Sequence, residues 1–297
     1  MKSIDTETGE EIDLNMALWQ RTIAERVKHK IDNWFIEQAE DGYRTHLGWS
    51  VIGNPCLRYL YYHWRWMWPE KHSARMERIF LNGQDTEKNI RKILVSCGAK
   101  FVDNVDVTNE QVKVSSFGGH FGGSVDGVFI WPDIGLHTPT ILECKSSKTG
   151  APFNDLIKKG VIAAKPQHYV QQSGYGYKLN IEYAMYVTYN KNDSDVFVEI
   201  VDLDDTLAKE HEKKALYIIQ TQDLPPRISN KANYYICNMC SMKHGCHDRM
   251  QPIPNCRNCR YSAALPDGTW FCNHWNTTIP NEDAIKMGCT NHQLLPW

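Results

Sequence analysis

Long apolar runs are missing from the sequence, and no stretch approaches the roughly 20 residues that a membrane-spanning helix requires. A surplus of positive charge is also missing, because 33 Lys and Arg stand against 35 Asp and Glu, a net charge of −2. Bulk charge therefore gives no argument for nucleic-acid binding, and an anionic partner must meet a local basic patch. The opening residues MKSIDTETGEEID are acidic, unlike the basic and apolar start of a secretion signal. We expect a soluble cytoplasmic protein with no membrane partner.

Internal repeats, low-complexity segments and coiled-coil heptads are absent as well, and nothing in the sequence predicts the oligomeric state. Apolar residues make up 42% and charged residues 23% of the 297 residues, which is typical of a globular protein rather than a disordered or fibrous one. The length allows one large or two modest domains.

Cysteines are abundant and unevenly placed, since seven of the ten lie between residues 237 and 289. In a chain without a secretion signal the thiols stay reduced. Paired cysteine spacings therefore indicate metal ligands rather than disulfides.

The hydrophobic pattern predicts a mixed α/β protein with a helical N-terminal part. Helices are expected over residues 15–40, 74–95, 152–159, 167–179 and 203–221, and strands in FVDNVDV, QVKVSS, GGSVDGVFIW, PTILECKSS, AMYVTYN and VFVEIV. The expected parts of the chain are a flexible tail (1–14), a helical subdomain (15–98), an α/β core (99–224), a first cysteine segment (225–250) and a second cysteine module (251–297).

Two acidic residues are predicted to meet in the hairpin formed by GGSVDGVFIW and PTILECKSS. A turn midway between the strands places Asp126 and Glu143 opposite each other. Because side chains alternate along a strand, Glu143 and Lys145 share one face while Cys144 points into the core. Neighbouring carboxylates repel each other unless a cation lies between them, and such oxygen ligands suit Mg²⁺ or Mn²⁺. A metal beside Lys145 is typical of phosphodiester hydrolysis; a surface ion pair is the simpler alternative.

These residues resemble the motifs of the PD-(D/E)XK nuclease superfamily, in particular its RecB-like branch, over most of residues 56–246. GHFGGSVDGV is similar to the Gly-x-x-Asp motif, which implies that Asp126 binds the metal. ECK is similar to the (D/E)-x-K motif, which implies Glu143 and the main-chain carbonyl of Cys144 as further ligands and Lys145 as the catalytic lysine. The resemblance implies a mixed-sheet nuclease core in a bacterial or phage-encoded protein.

Two flanking segments extend the resemblance. HYVQQSGYGYKL resembles the next helix of this branch, whose Gln-x-x-x-Tyr signature falls on Gln171 and Tyr175 and would line the DNA path. These residues and His168 share one helical face, and core packing is the alternative role of that face. In LNGQDTEKNI, Glu87 stands where the family has a His, four residues after Gly83. Glu87 is therefore a candidate third carboxylate of the catalytic metal site, or an exposed helical residue.

Cys237, Cys240 and Cys246 form C-x2-C-x5-C, three thiolates that need a fourth ligand, for which Cys56 is the candidate. Spacing alone fits either zinc or an iron–sulfur cluster. A Cys that opens a helix before the core, together with this later pattern, is similar to the iron–sulfur RecB-like exonucleases, including the CRISPR-associated and AddB types. The resemblance implies a structural 4Fe–4S cluster, with zinc as the alternative.

A second cysteine group is similar to a zinc ribbon with long spacing and is expected to bind Zn²⁺. Its four members are Cys256, Cys259, Cys272 and Cys289. His274 or His292 could replace one thiolate, and free thiols or a second cluster are the alternatives. Cys97 and Cys144 are expected to be buried hydrophobic residues.

Local features could bind DNA despite the net charge. Aromatic residues interleaved with Arg after Cys56 could stack on bases or pack against the protein; they are Tyr59, Tyr61, Tyr62, Trp64, Trp66 and Trp68. Basic residues also surround the predicted site, namely Lys145, Lys148, Lys158, Lys159 and Lys165, and a further basic stretch runs from residue 231 to 260.

The sequence thus leads to a metal-dependent DNA nuclease as the main hypothesis, acting on single-stranded DNA or duplex ends. The resemblance alone implies exonuclease action. A non-cleaving DNA-binding adaptor with a recombination or integration protein as its partner, and a structure-specific endonuclease, are the alternatives.

Overall fold

The computed structural model describes residues 2–4, 11–103 and 111–297. The chain forms two compact units. The first contains Met1–Gly42 and Glu70–Asn82, and the second contains Tyr43–Pro69 and Gly83–Trp297. All candidate site residues belong to the second unit.

The first unit is built around a long helix. Strands β1 (Lys2–Ile4) and β2 (Glu11–Asp13) pair antiparallel and lead into α1 (Leu14–Gln38). The expected tail therefore includes two paired strands, while residues 1 and 5–10 of it lie outside the described residues. The predicted apolar periodicity of α1 does not bury this helix, since Leu18, Trp19 and Trp34 are all more than half exposed.

Helix α4 (Ala74–Ser96) begins in the first unit and continues into the second. The preceding helices are α2 (Trp49–Ile52), which follows the short strand β3 (Leu47–Gly48), and α3 (Leu57–Trp64). Helix α4 matches the predicted 74–95 closely, because its bounds follow from a simple helical period.

The centre of the second unit is a mixed five-stranded sheet in the order β10-β9-β8-β7-β4. Its strands are β4 (Lys100–Phe101), β7 (Gly127–Trp131), β8 (Leu136–Ser147), β9 (Tyr183–Asn190) and β10 (Val196–Asp202). Strands β8 and β9 are parallel, whereas the other neighbours are antiparallel. The mixed α/β fold class is thus confirmed, and the parallel pair β8–β9 makes the sheet a mixed one.

A second sheet has the order β3-β6-β5 and contains β5 (Val112–Ser116) and β6 (Phe121–Val125). GGSVDGVFIW therefore contributes to two sheets, and Asp126 lies at the break between β6 and β7. Most of the predicted strand FVDNVDV lies outside the described residues.

Two helices provide the crossover that the parallel pair β8–β9 requires. They are α5 (Ala151–Ala164) and α6 (Pro166–Leu179), and α7 (Asp205–Gln220) follows the last sheet strand. The crossover brings α6 into contact with both β8 and β9 and packs it against α7. The predicted helix 152–159 ends where the regular helical backbone ends, because Gly160, with a φ of 71° and a ψ of 174°, kinks α5 before its last turn.

The aromatic segment after Cys56 forms the core. Tyr61, Tyr62, Trp64, Trp66 and Trp68 are at most 6% exposed. The prediction that these five residues stack on DNA bases is therefore wrong, because they pack inside the protein. The sequence could not decide between the two roles, since aromatic residues suit both. Of the six aromatic residues considered, Tyr59 alone is partly exposed.

The C-terminal cysteine segments have short elements of their own. These are α8 (Tyr235–Asn238), α9 (Lys243–Asp248), α10 (Glu282–Met287) and a small antiparallel sheet of β11 (Ser262–Ala264), β12 (Trp270–Cys272) and β13 (Thr277–Ile279). The Arg257 guanidinium lies 4.6 Å from the Trp64 ring, 3.9 Å from the Trp66 ring and 5.0 Å from the Trp270 ring. This segment therefore packs directly on the aromatic core.

In the described ranges, no helix combines the length and the apolar character needed to cross a membrane.

Candidate active site and cysteine clusters

Asp126 and Glu143 meet as the hairpin predicted. Gly127 pairs with Leu142 in the β7–β8 register, so the next position along each strand is Asp126 and Glu143 respectively. Asp126 Oδ2 accepts a hydrogen bond from the Cys144 main-chain N–H at 2.7 Å. This bond ties the carboxylate directly to strand β8.

Glu143 is completely buried, and its carboxylate has two side-chain partners. The Lys145 ammonium forms an ion pair with Oε1, and Gln171 Nε2 donates to Oε2 at 3.3 Å. A surface ion pair is therefore wrong for Glu143 and Lys145, since the Glu143 side chain is 0% exposed. The Cys144 side chain is buried on the opposite face with Leu142 and Met185, as strand alternation predicts.

Helix α6 presents its predicted residues to this site. Gln171 Nε2 also donates a hydrogen bond to the Tyr175 hydroxyl at 3.2 Å, so Gln171 contacts Glu143 directly and Tyr175 is linked to Glu143 through Gln171. A Cβ added at Gly123 of β6 would lie 2.6 Å from the same hydroxyl. Gly123, three residues before Asp126, is therefore required because Tyr175 occupies the space that a larger side chain would need.

Glu87 approaches the site from α4. Its Oε1 accepts a hydrogen bond from Gln111 Nε2 at 2.7 Å. Burial, with the nearby Asp126 charge, raises the pKa of Glu87 to about 7, against the opposing effects of Gln111 and Lys145. Glu87 is therefore partly buried, which excludes the alternative that it is an exposed helical residue.

The three carboxylates share one electrostatic environment. Burial raises the pKa of Glu143 to about 7, and the charges of Asp126 and Glu87 act in the same direction while Lys145 opposes them. Burial also raises the pKa of Asp126. Although burial opposes its charge, Glu143 and Asp126 hold the pKa of Lys145 above its usual value. Lys145 acts on all three acids and Lys88 on Glu87 as well, and a divalent cation would further stabilise their charged forms.

The oxygen donors suit Mg²⁺ or Mn²⁺ in chemistry. Within residues 11–103 and 111–297, no three or more His, Cys, Asp or Glu side chains are already arranged to hold one ion together. Lys145 contacts Glu143 in this arrangement, so the carboxylate would exchange that contact for a metal. The role of the Cys144 carbonyl as a ligand stays a prediction.

The sequence did not single out residues of β9. In the parallel register, Tyr186 pairs with Glu143 and Thr188 pairs with Lys145, so their side chains lie on the same face. The Tyr186 hydroxyl lies 2.7 Å from His168 Nδ1 on α6. Burial raises the pKa of Tyr186 to about 12 and lowers that of His168 to about 3. Side-chain alternation within AMYVTYN places Tyr186 and Thr188 on one face of a strand. The sequence did not show that this strand lies beside β8, because that pairing depends on the two-helix crossover.

The first cysteine group surrounds a cavity of about 330 Å³. Cys56, Cys237, Cys240 and Cys246 all line it. Burial, together with the other three thiols of the group, raises the pKa of Cys240 to about 11. The structure therefore brings Cys56 to the same cavity as the three later cysteines, although in the part of the chain that the structure describes these thiols are not arranged to hold one ion together.

Cations lie close to these thiols. Arg58, Arg227 and Lys243 line the same cavity. The Lys214 ammonium donates to the carbonyl oxygens of Ile52 and Asn54, each at 2.7 Å, just before Cys56. Positive charge around a thiolate cluster favours its charged form.

The other three thiols of the second cysteine group lie near enough to Cys256 to affect its pKa, but among the described residues they too are not arranged to hold one ion. Burial and the charges of Cys259, Cys289 and Cys272, in that order, raise the pKa of Cys256 to about 11. His292 Nε2 is bonded to Asn258 Oδ1 at 2.8 Å, so that nitrogen has a structural partner. Cys97, in contrast, is exposed, and its prediction as a buried residue was wrong because it lies in the turn that follows helix α4.

Comparison with known proteins gives low similarity. No protein-family model matches the sequence, and no curated protein matches it. Among solved structures, SSO0001 is 13% identical with a TM-score of 0.41, covering 74% of this chain and 94% of its own. An alkaline exonuclease (LHK-Exo) from Laribacter hongkongensis is 16% identical with a TM-score of 0.39, covering 59% of this chain and 87% of its own. LHK-Exo in complex with dAMP is 18% identical with a TM-score of 0.40, covering 59% and 86%. These scores are too low to carry a functional conclusion, which depends instead on the side chains of this chain.

Proposed function

We propose that the protein is a metal-dependent DNA nuclease of the PD-(D/E)XK type, resembling the RecB-like branch. The observation that carries the proposal is the meeting of Asp126, Glu143 and Lys145 around strand β8, where Gln171 of helix α6 donates to Glu143. The substrate is DNA, as single strands or duplex ends, and exonuclease action follows the family resemblance.

Asp126 and Glu143 would hold Mg²⁺ or Mn²⁺, with Glu87 as a third carboxylate. When bound, the cation supplies an activated water and stabilises charge on the phosphate. Glu143 and Asp126 raise the pKa of Lys145 against the effect of burial, and its ammonium would act as a positive charge toward the phosphate. Gln171 holds the orientation of Glu143, and Tyr175 holds Gln171.

The test compares linear and circular single-stranded DNA, with Mn²⁺, with Mg²⁺ and with chelator, using anaerobically purified protein. Lys145→Ala should reduce cleavage by at least about 100-fold, because charge stabilisation in the transition state is lost. Lys209→Ala, an exposed lysine of α7, is the matched control and should cleave normally.

Loss of linear DNA with circles spared would support an exonuclease, and cut circles would identify the endonuclease alternative. Tight DNA binding without cleavage by either protein would contradict the enzyme and support the adaptor with a recombination or integration partner.

We also propose a structural 4Fe–4S cluster at Cys56, Cys237, Cys240 and Cys246. The shared cavity and its surrounding cations support this donor set. Iron and sulfide per chain and the visible absorption of anaerobic protein test it, with Cys237→Ser expected to lose both. Zinc in place of iron would identify the alternative.

For the second group we propose Zn²⁺ at Cys256, Cys259, Cys272 and Cys289, because four thiolates are a ligand set that structural zinc sites use. Zinc per chain, measured by mass spectrometry, should fall in Cys259→Ser and not in Cys97→Ser, which removes an exposed thiol elsewhere.

A further inference from the structure

A buried ion pair lies one helical turn beyond Glu87 on α4. The Arg91 guanidinium donates to both carboxylate oxygens of Asp103, at 3.1 Å from Nη1 to Oδ2 and 2.5 Å from Nη2 to Oδ1. The two side chains are 7% and 0% exposed. A two-pronged, enclosed pair of this kind fixes geometry, whereas an exposed pair contributes little.

The pair joins α4 to the strand that begins after Asp126. Asp103 Oδ2 also accepts a hydrogen bond from the Val128 main-chain N–H of β7 at 2.7 Å. The Arg91 guanidinium lies 3.7 Å from the Phe101 ring centre. A Cβ added at Gly127 would come within 2.8 Å of Arg91 Nη1. The guanidinium therefore rests against the residue directly after Asp126.

Glu87 and Arg91 lie four residues apart and so project from the same side of α4. A helix rises about 1.5 Å per residue, so the two side chains leave the helix roughly 6 Å apart along its axis. A shift of α4 against β7 would move Glu87 relative to Asp126 and would strain the hydrogen bond that Gln111 donates to the Glu87 carboxylate.

We propose that the Arg91–Asp103 pair is a positioning device that sets the spacing between Glu87 and Asp126 and thereby the affinity of the site for its divalent cation. The inference rests on the proposed metal-dependent nuclease. Arg91 and Asp103 touch neither cation nor DNA in this scheme; they act through Glu87.

The test measures Mn²⁺ binding directly, from the electron paramagnetic resonance signal of free Mn²⁺. Arg91→Lys keeps the charge and loses the two-pronged contact, and Asp103→Asn keeps the shape and loses the charge. Each should weaken Mn²⁺ binding on the order of tenfold, as expected for residues that orient metal ligands. Arg65→Lys is the matched control, because Arg65 is equally buried but donates to the carbonyls of Ile219 and Thr221. It should leave Mn²⁺ binding unchanged.

A double-mutant comparison separates positioning from general destabilisation. In a Glu87→Gln background, adding Arg91→Lys should weaken Mn²⁺ binding by no more than about twofold, because the residue it acts through is already neutral. The same tenfold loss in that background would overturn the proposal. So would unchanged binding in Arg91→Lys or, where that variant does not fold, in Asp103→Asn. Wild-type binding that Asp126→Asn does not weaken would instead overturn the proposed nuclease site itself.

Discussion

At the scale of single residues, the site is defined by buried charge. The Glu143 side chain is fully buried, and Lys145 and Gln171 contact its carboxylate. Burial raises the pKa of all three acids, and the charge of Asp126 raises the pKa of Glu143 and of Glu87 further, as is common for functional carboxylates. A bound cation would thus relieve the repulsion between the carboxylates of Asp126, Glu143 and Glu87 that remains in the folded protein.

His168 should make the stability of the protein depend on pH. Burial, with Lys145 and Lys165, lowers the pKa of His168 to about 3, whereas a histidine in an unfolded chain has a pKa of about 6.5. Between these values the unfolded chain binds a proton that the folded chain does not, so this contribution to stability is lost as the pH falls. His168→Asn should flatten the loss of unfolding free energy between about pH 6.5 and 4 in urea titrations. His29→Asn, in an exposed stretch of α1, is the control, and equal slopes for all three proteins would contradict the prediction.

Gly123→Ala should damage the site without touching a charged group. The new methyl group would lie 2.6 Å from the Tyr175 hydroxyl and would push it away from Gln171. We expect a loss of about 1 to 3 kcal/mol in the free energy of unfolding, as for other overpacked positions, and a lower kcat at unchanged KM. Activity at the wild-type level would show that Tyr175 does not support Glu143 through Gln171.

At the scale of elements, the sequence predicted the active-site hairpin well and its surroundings less well. Alternation within ILECKSS placed Glu143, Lys145 and Cys144 correctly because a strand allows only two faces. Tyr186 and Thr188 were missed, since their place beside β8 depends on a crossover of two helices. The roles of Trp64 and Trp66 could not be read, because aromatic residues suit both a DNA surface and a core.

Helix α4 offers a test of local propensity. A Cβ added at Gly83 would meet nothing within 4 Å, and its backbone is helical. Gly83→Ala should therefore raise the free energy of unfolding by up to about 1 kcal/mol and leave cleavage unchanged, as measured by urea denaturation and nuclease assay. A lower free energy of unfolding in Gly83→Ala would contradict the open space around Gly83.

At the scale of the whole molecule, the second cysteine module is part of the core of its unit. Arg257 donates to the carbonyls of Thr45 and Arg44 and covers the Trp64 and Trp66 rings. Burial lowers the pKa of Arg257 to about 9, an effect that Glu282 opposes and Arg65 strengthens. A buried cation held by carbonyls and ring faces is costly to replace.

Arg257→Met should lower the free energy of unfolding by about 1 to 3 kcal/mol or more, because carbonyl groups lose their donor. Arg260→Met, three residues later and exposed, should have almost no effect. Both are measured by urea denaturation followed by tryptophan fluorescence. Equal midpoints would show that the module contributes nothing to the core.

The dependence of α3 on Arg257 and its neighbours also bears on how the chain folds as it is synthesised. Asn255 donates to the Trp66 carbonyl across 189 residues of sequence. At about 5 to 20 residues per second, translation needs roughly 10 to 40 s to connect them. During that time the Tyr- and Trp-rich helix lacks the segment that covers it. If synthesis stops before residue 257, the nascent chain should therefore expose apolar surface, be prone to aggregation and depend on chaperones.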